Sequence, residues 1–310
     1  MAILVLPTSS FVQQQLDALR ALAPDEIFHT EPERAPAQSV EAILAFRLRE
    51  GIASRFPNLR FIACAGAGAD EILAAGDLSS IPVVRPIDPA QSQRLAQYVA
   101  LMALRFHRDL PRLERQHGEG RWERFVPEDE RGVGIGVLGF GESGRAIAHT
   151  LAALGFPVCA WRRSGASGIV DDIDVRVGDD ALARVLAAAR VLVCTLPLTP
   201  RTRGLIDRAA LEALPSRAYV IDVSRGGIID HDALLELVDA RRLSGAALDV
   251  FREEPLPASS AMWKHPRILC TPHIAGPVRP EIAAAQLLDN LRRARAGQPL
   301  VNVIDRAAGY

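Results

Sequence analysis

Short apolar runs alternate with amphipathic stretches along almost the whole chain. In the first third, four apolar runs predict strands at residues 2–6, 42–46, 61–65 and 83–85. The helical spacing of Val12, Leu16, Leu19 and Leu22 predicts a helix between the first two of these strands. Because strands and helices alternate in this way when a parallel sheet is covered by helices, we expect an α/β fold.

The pattern changes near residue 92. Apolar side chains then fall on a single stripe as far as residue 118, which predicts one long helix, long enough to bridge two domains. The polar, turn-rich segment at residues 117–132 predicts a loop or arm. Trp122 lies in the middle of this arm and needs a surface to bury it, so we expect a second subunit there.

A second series of alternating strands and helices begins at residue 133. It predicts strands at residues 133–138, 157–161, 191–195, 219–222, 246–250 and 268–271. Asp179 and Asp230 are expected N-caps of two intervening helices, because a side-chain oxygen there can accept the unpaired first-turn amides. A last helix is predicted at residues 281–296, and it has no strand partner left in this series. We expect it to return to the first domain.

Composition narrows the class of protein. A chain of 310 residues is about twice the ~150 of a typical domain, which favours two domains. Apolar residues make up 49% and charged residues 24%, so a disordered or fibrous protein is excluded. The formal net charge is -1, so no global field attracts nucleic acid or an anionic membrane, and a small-molecule partner is favoured.

Targeting and cysteine patterns point to the cytoplasm. No apolar run reaches the ~18 residues of a membrane span, and the first ten residues lack the features of a cleavable signal. The cysteines show no CxxC or Cys/His spacing that would bind a metal, so no metal site is expected. We expect four buried free thiols, at Cys64, Cys159, Cys194 and Cys270.

A glycine motif predicts a dinucleotide site. Gly139, Gly141 and Gly144 form G-x-G-x-x-G directly after a predicted strand and at the start of a predicted helix. Without side chains there, the strand can turn tightly and a pyrophosphate can approach the positive end of the helix. Glu142 and Ser143 lie in the same turn and are counted among the cofactor-binding residues.

The end of the next strand predicts which dinucleotide binds. An acidic residue about 20 residues beyond the glycines would hold the two ribose hydroxyls of NAD. After Glu142, however, the next carboxylate is Asp171. The strand ends instead in Trp161, Arg162, Arg163 and Ser164. Two guanidiniums and a hydroxyl can bind a 2′-phosphate, so NADPH is the expected cofactor and NAD the second option. The plain alternative is two solvated arginines in an arginine-rich chain.

Three segments near predicted strand ends carry candidate catalytic residues. They are VIDVSRGG with Arg225, LDVFREEPLP with Asp249 and Glu254, and TPHIAG with His273. Loops beyond the carboxyl ends of parallel strands line the ligand crevice, so these side chains are expected to converge. An imidazole, a carboxylate and a guanidinium supply a proton donor, its charge partner and an anion clamp. Each alone also has a bland structural explanation, as a core histidine, a solvated loop charge or a salt bridge.

The joined motifs resemble one family. GxGxxG, LPLTPRTRGLI at residues 196–206, DVSRGGIID, LDVFREEPLP and TPHIAG are similar to the D-isomer-specific 2-hydroxyacid dehydrogenases, and they span most of the chain. Within that family, GAGAD at residues 66–70, the Gln97-Tyr98 pair, the WRRS strand ending and the terminal DRAAGY resemble the glyoxylate/hydroxypyruvate reductase A subgroup.

The resemblance implies a role for each catalytic candidate. Arg225 matches the arginine that binds the 2-oxoacid carboxylate and polarises the keto oxygen. His273 matches the general acid that protonates this oxygen as hydride arrives from the nicotinamide, and Glu254 matches the carboxylate that orients the imidazole. Asp249 matches the residue that holds the nicotinamide carboxamide. Asp222 stands where the family usually has asparagine, so an extra carboxylate near the cofactor is expected.

Further binding residues follow from the same resemblance. Leu196 and Pro197 are implied to lie along the cofactor. The backbone amides of Ala67 and Gly68 match a cradle for the substrate carboxylate, a glycine-bracketed nest suited to an anion. Phe46 lies in the region where reductases of this subgroup often carry a tryptophan over the substrate, which leaves the substrate preference open.

The implied architecture has two doubly wound parallel-sheet domains, with a Rossmann-type nucleotide domain inserted in a flavodoxin-like substrate domain. Residues 1–95 and 276–310 form the expected substrate-binding domain. Residues 96–275 form the expected NAD(P)-binding domain, with the long bridging helix and the dimerisation arm. The substrate is expected in the interdomain cleft, and closure of the two domains would exclude water.

The implied function is NADPH-dependent reduction of glyoxylate or hydroxypyruvate to glycolate or D-glycerate by a homodimer. A broader D-2-hydroxyacid dehydrogenase that accepts larger side chains is an alternative, and the Phe46 region could permit it. A formate or phosphite dehydrogenase is disfavoured, because formate enzymes resemble a pattern with glutamine at the position of Glu254. A dinucleotide-sensing, corepressor-like binding protein is the alternative from another class.

Overall fold

A computed structural model describes residues 1–7, 9–75, 78 and 81–306 of the chain. The chain divides into two compact units. Unit 1 comprises Met1–Pro89 and Pro277–Tyr310, and unit 2 comprises Ala90–Gly276. The end of the DRAAGY motif, at residues 307–310, lies outside the described residues. Which unit binds the substrate and which the cofactor stays a prediction at this point.

The strands of the described residues are β1 (Ala2–Val5), β2 (Ile27–His29), β3 (Val40–Ala45), β4 (Phe61–Cys64), β5 (Val83–Val84), β6 (Ile135–Leu138), β7 (Val158–Arg162), β8 (Gly168–Val170), β9 (Ile173–Val177), β10 (Val191–Cys194), β11 (Ala218–Asp222), β12 (Leu243–Leu248) and β13 (Ile268–Cys270). The α-helices are α1 (Ser10–Leu22), α2 (Asp70–Leu73), α3 (Gln91–His107), α4 (Leu110–Gly118), α5 (Glu142–Ala153), α6 (Asp179–Ala188), α7 (Arg208–Glu212), α8 (His231–Asp239) and α9 (Pro280–Arg295).

Unit 1 is built on a five-stranded parallel sheet with the order β2-β1-β3-β4-β5. Strand β3 is buried along its whole length, as expected for a central parallel strand that is covered on both faces. Helices α1 and α9 bury their apolar stripes in the same core cluster of this unit, with Leu16 and Leu19 from α1 and Leu287 and Leu291 from α9. The last helix therefore packs in unit 1.

Unit 2 contains an eight-stranded sheet with the order β13-β12-β11-β10-β6-β7-β9-β8. All of its strand pairs are parallel except that of β8 with β9. From β6 the chain first builds outward through β7 and β9, and then returns to β10 and builds in the other direction. The strand order therefore reverses between β6 and β10, which is where doubly wound sheets bind ligands. The predicted α/β fold class, with doubly wound parallel sheets, is confirmed.

The single helix predicted over residues 92–118 is wrong. The chain forms α3 and α4 instead, and Asp109 between them has a φ of 46°. A left-handed residue cannot continue a right-handed helix, so the two helices are separate elements. The predicted arm is irregular over residues 121–129, and Trp122 is 89% exposed.

One of the two predicted helix caps is correct. The Asp230 carboxylate accepts hydrogen bonds from the amides of Asp232 (3.1 Å) and Ala233 (3.2 Å), so it caps α8 as expected. The predicted cap at Asp179 is wrong, because Asp179 is already the first residue of α6 and Gly178, with a φ of 93°, is the N-cap. Glycine reaches this backbone conformation without steric cost.

The four cysteines are free thiols, as predicted. Cys64 and Cys194 are buried, while Cys159 and Cys270 are only half-buried. Burial raises the pKa of Cys64 and of Cys194 to about 12, and that of Cys270 to about 11. In the part of the chain that the structure describes, no helix is long and apolar enough to cross a membrane.

Candidate active site

The glycine turn between β6 and α5 fits a dinucleotide pyrophosphate. Gly139 has a φ of +99°, which lets β6 turn sharply. A Cβ on Gly144 would lie 1.9 Å from the carbonyl oxygen of Gly139. Helix α5 can therefore pack this closely against the end of β6 only because residue 144 is glycine. A Cβ on Gly141 would meet no atom within 4 Å, and Gly141 provides no side-chain cap to α5. This open space in front of uncapped helix amides is suited to an anion.

Glu142 and Ser143 form the first turn of α5 beside this open space. The Ser143 hydroxyl lies 3.4 Å from that of Ser92 on α3. Leu196 follows β10 and is 7% exposed, so most of its side chain belongs to the core of unit 2. Pro197 is exposed, and its carbonyl accepts a hydrogen bond of 2.6 Å from the Thr202 hydroxyl.

The end of β7 presents two arginines in different environments. The Arg162 Nη2 donates to the carbonyl of Ala166 (3.0 Å), while its Nε is buried and has no hydrogen-bond partner among the described residues. The Arg163 Nη2 donates to the carbonyl of Arg201 (3.3 Å), and Ser164 is exposed. A buried donor without a partner is costly.

Trp161 differs from its neighbours in this segment. The indole is 1% exposed, and its Nε1 donates to the carbonyl of Gly178 (2.8 Å). The side chain is therefore part of the core and presents no face to a ligand. Arg162, Arg163 and Ser164 remain as the side chains of this strand ending that can recognise a cofactor.

A tight backbone contact brings the Arg225 loop beside the Glu254 loop. A Cβ on Gly226 would lie 1.9 Å from the carbonyl oxygen of Phe251, so only glycine permits this approach. The Arg225 Nη1 donates to the carbonyl of Ser224 (2.8 Å). Its charge is near enough to contribute to a lower pKa of Glu254.

Glu254 and His273 form a hydrogen-bonded pair. The Glu254 Oε2 accepts from the Nδ1 of His273 (2.8 Å), and its Oε1 accepts from the amide of Phe251 (2.9 Å). Burial raises the pKa of Glu254, but His273, the Phe251 amide and the Arg225 charge outweigh burial, so the pKa lies below its usual value. A carboxylate at Nδ1 fixes the imidazole so that Nε2 is the nitrogen left to act on a ligand. The structure thus brings together the three predicted catalytic residues.

Asp249 is 1% exposed and accepts hydrogen bonds from residues on both sides of His273. Its Oδ1 accepts from the Thr271 hydroxyl (2.6 Å) and the Ile274 amide (2.9 Å), and its Oδ2 accepts from the Ala275 amide (2.8 Å). Burial raises its pKa against the effect of these donors. Because a carboxylate has about four lone-pair sites, one site remains for any other donor.

Asp222 points into the protein. It is fully buried, its Oδ1 accepts from the amide (3.1 Å) and the hydroxyl of Ser224, and its Oδ2 lies 3.5 Å from the Nε2 of His231. The extra carboxylate expected near the cofactor therefore supports the turn that precedes Arg225. His231 is 5% exposed and was not expected from the sequence, where it reads only as the first residue of a helix.

The predicted substrate-binding residues of unit 1 lie around the turn between β4 and α2. The amides of Ala67 and Gly68 donate no hydrogen bond within the described part of the chain. A Cβ on Gly66 would lie 2.8 Å from the Phe46 ring, and the rings of Phe46 and Phe11 are 5.7 Å apart. An apolar wall therefore stands beside two available backbone donors.

Two further side chains support this turn and were missed in the sequence. Gln15 is fully buried on α1 and donates to the carbonyl of Ala65 (2.6 Å). The Arg85 Nη1 lies 3.4 Å from the carbonyl of Ala67. A glutamine in the middle of an apolar helical stripe is the signal that could have found the first; nothing in the sequence singles out Arg85.

Comparison with known proteins identifies the family. The profile described as "D-isomer specific 2-hydroxyacid dehydrogenase, NAD binding domain" matches residues 100–275, more than half of the chain. The chain belongs to the D-isomer-specific 2-hydroxyacid dehydrogenase family, and it is an NAD(P)-dependent oxidoreductase. It is similar to glyoxylate/hydroxypyruvate reductase A of Yersinia enterocolitica, with 34% identity over 268 residues, 84% of this chain and 85% of that protein. The same enzyme of Photorhabdus laumondii is 35% identical over 260 residues, 82% of each chain.

Solved structures agree with this assignment. A D-isomer-specific 2-hydroxyacid dehydrogenase from Xanthobacter autotrophicus Py2, in complex with NADPH and MES, has a TM-score of 0.85 and 36% identity over 100% of this chain and 99% of that one. An NADPH-dependent glyoxylate/hydroxypyruvate reductase from Sinorhizobium meliloti, in complex with NADP and sulfate, has a TM-score of 0.88 and 28% identity over the whole of both chains.

Proposed function

We propose that the protein reduces small 2-oxoacids, glyoxylate and hydroxypyruvate above all, to glycolate and D-glycerate, with NADPH as the preferred reductant. The observation that carries this proposal is the 2.8 Å pair of Glu254 and His273 beside Arg225, in the unit that also holds the glycine turn. The substrates are those in the names of the curated relatives.

In this mechanism Arg225 binds the 2-oxoacid carboxylate and polarises its keto oxygen. The nicotinamide, when bound, supplies hydride to the keto carbon. His273 donates the proton on Nε2 to the oxygen as negative charge grows there. Glu254 remains ionised because its pKa is lowered, so it favours the protonated imidazole and fixes the orientation of the ring. In unit 1, the amides of Ala67 and Gly68 are the proposed donors to a carboxylate.

Arg162, Arg163 and Ser164 are the proposed contacts of the 2′-phosphate. The position of both guanidiniums at the end of β7 and the NADPH and NADP complexes of similar structures support this assignment. The double substitution Arg162→Ala and Arg163→Ala should raise the KM for NADPH about tenfold or more and leave the KM for NADH unchanged. Arg176→Ala is a matched control, since Arg176 pairs with Asp174 on the neighbouring strand β9. An equal rise in both KM values would refute the assignment.

The decisive experiment is a panel of 2-oxoacids assayed by loss of nicotinamide absorbance with NADPH and with NADH. His273→Ala and Arg225→Ala should each lose most of kcat/KM. Full activity of His273→Ala would remove the proposed proton donor. If no 2-oxoacid supports NADPH oxidation, the proposed substrate class is refuted.

A broader 2-ketoacid reductase is the second candidate, and the apolar wall of Phe11 and Phe46 favours it. Aromatic rings in this position are suited to an apolar substrate side chain. The same panel therefore includes phenylpyruvate, and a higher kcat/KM for phenylpyruvate than for hydroxypyruvate would select this candidate.

We also propose a homodimer formed through the arm at residues 121–129. Trp122 and Val126 on this arm are 89% and 94% exposed, and a second copy of the chain would bury them. Gel filtration should give a dimer for the wild type and a larger monomer fraction for Trp122→Ser. A monomeric wild type would refute this part of the proposal. A cytoplasmic location stays a prediction.

A further inference from the structure

A chain of two hydroxyl groups connects helix α3 to Asp249. The Tyr98 hydroxyl lies 2.7 Å from the Thr271 Oγ1, which lies 2.6 Å from the Asp249 Oδ1. All three residues belong to unit 2, and Tyr98 and Thr271 are 173 positions apart in sequence. Two consecutive contacts of this length are good hydrogen bonds and not incidental neighbours.

The direction of the chain can be assigned. Thr271, the Ile274 amide and the Ala275 amide all direct donors at Asp249. Burial raises the pKa of this carboxyl group, but three donors on its two oxygens favour the ionised form. The Thr271 hydroxyl has one proton, and it is used on Asp249. Tyr98 must therefore donate to Thr271. Burial raises the pKa of Tyr98 to about 12, so its hydroxyl keeps the proton that this bond needs.

The loop that Asp249 holds has a strained backbone at His273, the proposed proton donor. His273 has a φ of 54°, in the left-handed region that a non-glycine residue rarely adopts. Such a conformation persists only when the surroundings enforce it. Asp249 binds the chain on both sides of His273, at Thr271 before it and at Ile274 and Ala275 after it.

We propose that Tyr98 is a positioning residue for the proton donor: through Thr271 it fixes the ionised Asp249, which holds the His273 loop in its strained conformation. This inference rests on the proposed function, in which His273 donates the proton. Consecutive hydrogen bonds polarise one another, so loss of the Tyr98 hydroxyl weakens the hydrogen bond from Thr271 to Asp249. Helix α3 packs in the core of unit 2 through neighbours of Tyr98 such as Val99 and Met102, and this makes it a rigid support.

Several titratable groups surround this relay. Glu254 and Asp249 face His273, and Arg225 acts on Glu254. Cys270 and Tyr219 lie near Tyr98. Tyr98→Phe leaves all of them in place, so a change in the pH profile reports the lost hydroxyl alone.

The test compares Tyr98→Phe with Tyr219→Phe. The Tyr219 hydroxyl is also buried in unit 2 and lies near the Arg105 charge, but it takes no part in the contacts from Tyr98 through Thr271 to Asp249, which makes Tyr219→Phe a matched control. In Tyr98→Phe we expect kcat/KM for the 2-oxoacid to fall about threefold to tenfold, the range of one lost hydrogen bond.

The pH profile should change in a defined direction. With Asp249 less well fixed as an anion, the protonated imidazole of His273 loses part of its stabilisation. The alkaline limb of kcat/KM should therefore move to lower pH in Tyr98→Phe. Thr271→Ser keeps both hydroxyl contacts and should resemble the wild type, whereas Thr271→Val should be at least as impaired as Tyr98→Phe.

A second measurement does not depend on activity. The amides of Ile274 and Ala275 donate to Asp249, so their hydrogen exchange should accelerate in Tyr98→Phe and not in Tyr219→Phe. Wild-type exchange and a wild-type pH profile in Tyr98→Phe would overturn the inference, as would equal changes in both variants. If His273→Ala kept its activity, the proposed proton donor would fall, but the exchange rates would still decide whether Tyr98 fixes the loop.

Discussion

Replacing Glu254 with glutamine tests the central pair of the site. The wild-type carboxylate accepts from the Nδ1 of His273 and from the Phe251 amide. A glutamine has one acceptor oxygen for these two donors, and its amide nitrogen cannot accept from Nδ1–H. The substitution therefore removes the negative charge and weakens the hydrogen bond to the Nδ1 of His273, while the shape of the side chain is kept.

The size of the effect follows from exposure. A hydrogen bond to a charged group contributes about 1.5–3 kcal/mol. The side chains of His273 and Glu254 are 44% and 31% exposed, so solvent screens the pair and we take about 1 kcal/mol. That corresponds to about a fivefold loss of kcat/KM.

The reaction chemistry determines the direction in which the pH profile of Glu254→Gln should move. Reduction needs the protonated imidazole, and the Glu254 carboxylate favours that form. Without the carboxylate this interaction with the protonated form is lost, so the alkaline limb of the kcat/KM profile should move to lower pH. The lowered pKa of Glu254 keeps it ionised across neutral pH in the wild type, so the difference between the enzymes should be largest on the alkaline limb and should shrink as the pH falls.

The assay is the pH profile of NADPH oxidation with hydroxypyruvate at low substrate concentration. Glu253→Gln is the matched control, because Glu253 is the exposed neighbour and loses the same charge. We expect the wild-type profile for the control. An unmoved alkaline limb in Glu254→Gln, with the control also unchanged, would refute the assigned role of the pair.

Three glycine substitutions give further predictions. Gly144→Ala should lower the free energy of unfolding by about 1–3 kcal/mol, measured by denaturant titration, because the added Cβ would lie 1.9 Å from the carbonyl oxygen of Gly139. Gly141→Ala should keep the wild-type stability, since its Cβ meets nothing within 4 Å, but should weaken NADPH binding in a fluorescence titration by closing the space in front of α5. Gly226→Ala should lower both Tm and kcat/KM, because a Cβ 1.9 Å from the Phe251 carbonyl pushes the two catalytic loops apart; native Tm and kinetics would contradict this packing.

The long parallel strands could be predicted because their burial is continuous. Strand β3 is buried at all six positions, and its sequence is correspondingly apolar over residues 42–46. The three missed strands carry a weaker signal: β2 and β8 have three residues each, and β9 alternates inward Ile173 and Val175 with Asp174 and Arg176. A short edge strand buries too little to be distinguished from a loop.

The turn of the β8–β9 hairpin could not be predicted from the sequence. Asp171 and Asp172 form its two-residue loop, with φ values of 49° and 62°. Turns of this kind usually contain Asn-Gly or Asp-Gly, whereas aspartate reaches the left-handed region only at some cost. The pair Asp171-Asp172 therefore reads as a polar loop.

The catalytic candidates could be found because each one sits at the end of a buried strand. Their supports could not be found in this way. Tyr98 and Thr271 come together only through the packing of helix α3 in the core of unit 2, and Asp222 meets His231 only because α8 begins beside the end of β11. The sequence shows Tyr98 in the Gln97-Tyr98 pair that carries part of the family resemblance, but nothing there connects its hydroxyl to Thr271.

The burial of the native cysteines has a practical consequence. Alkylating reagents attack the thiolate, and the pKa values of about 11 to 12 at Cys64, Cys194 and Cys270 leave almost none of it at neutral pH. Burial also raises the pKa of the half-buried Cys159, so all four native thiols should react slowly with maleimides. A surface cysteine introduced in either unit should therefore accept a fluorophore in preference to the native thiols.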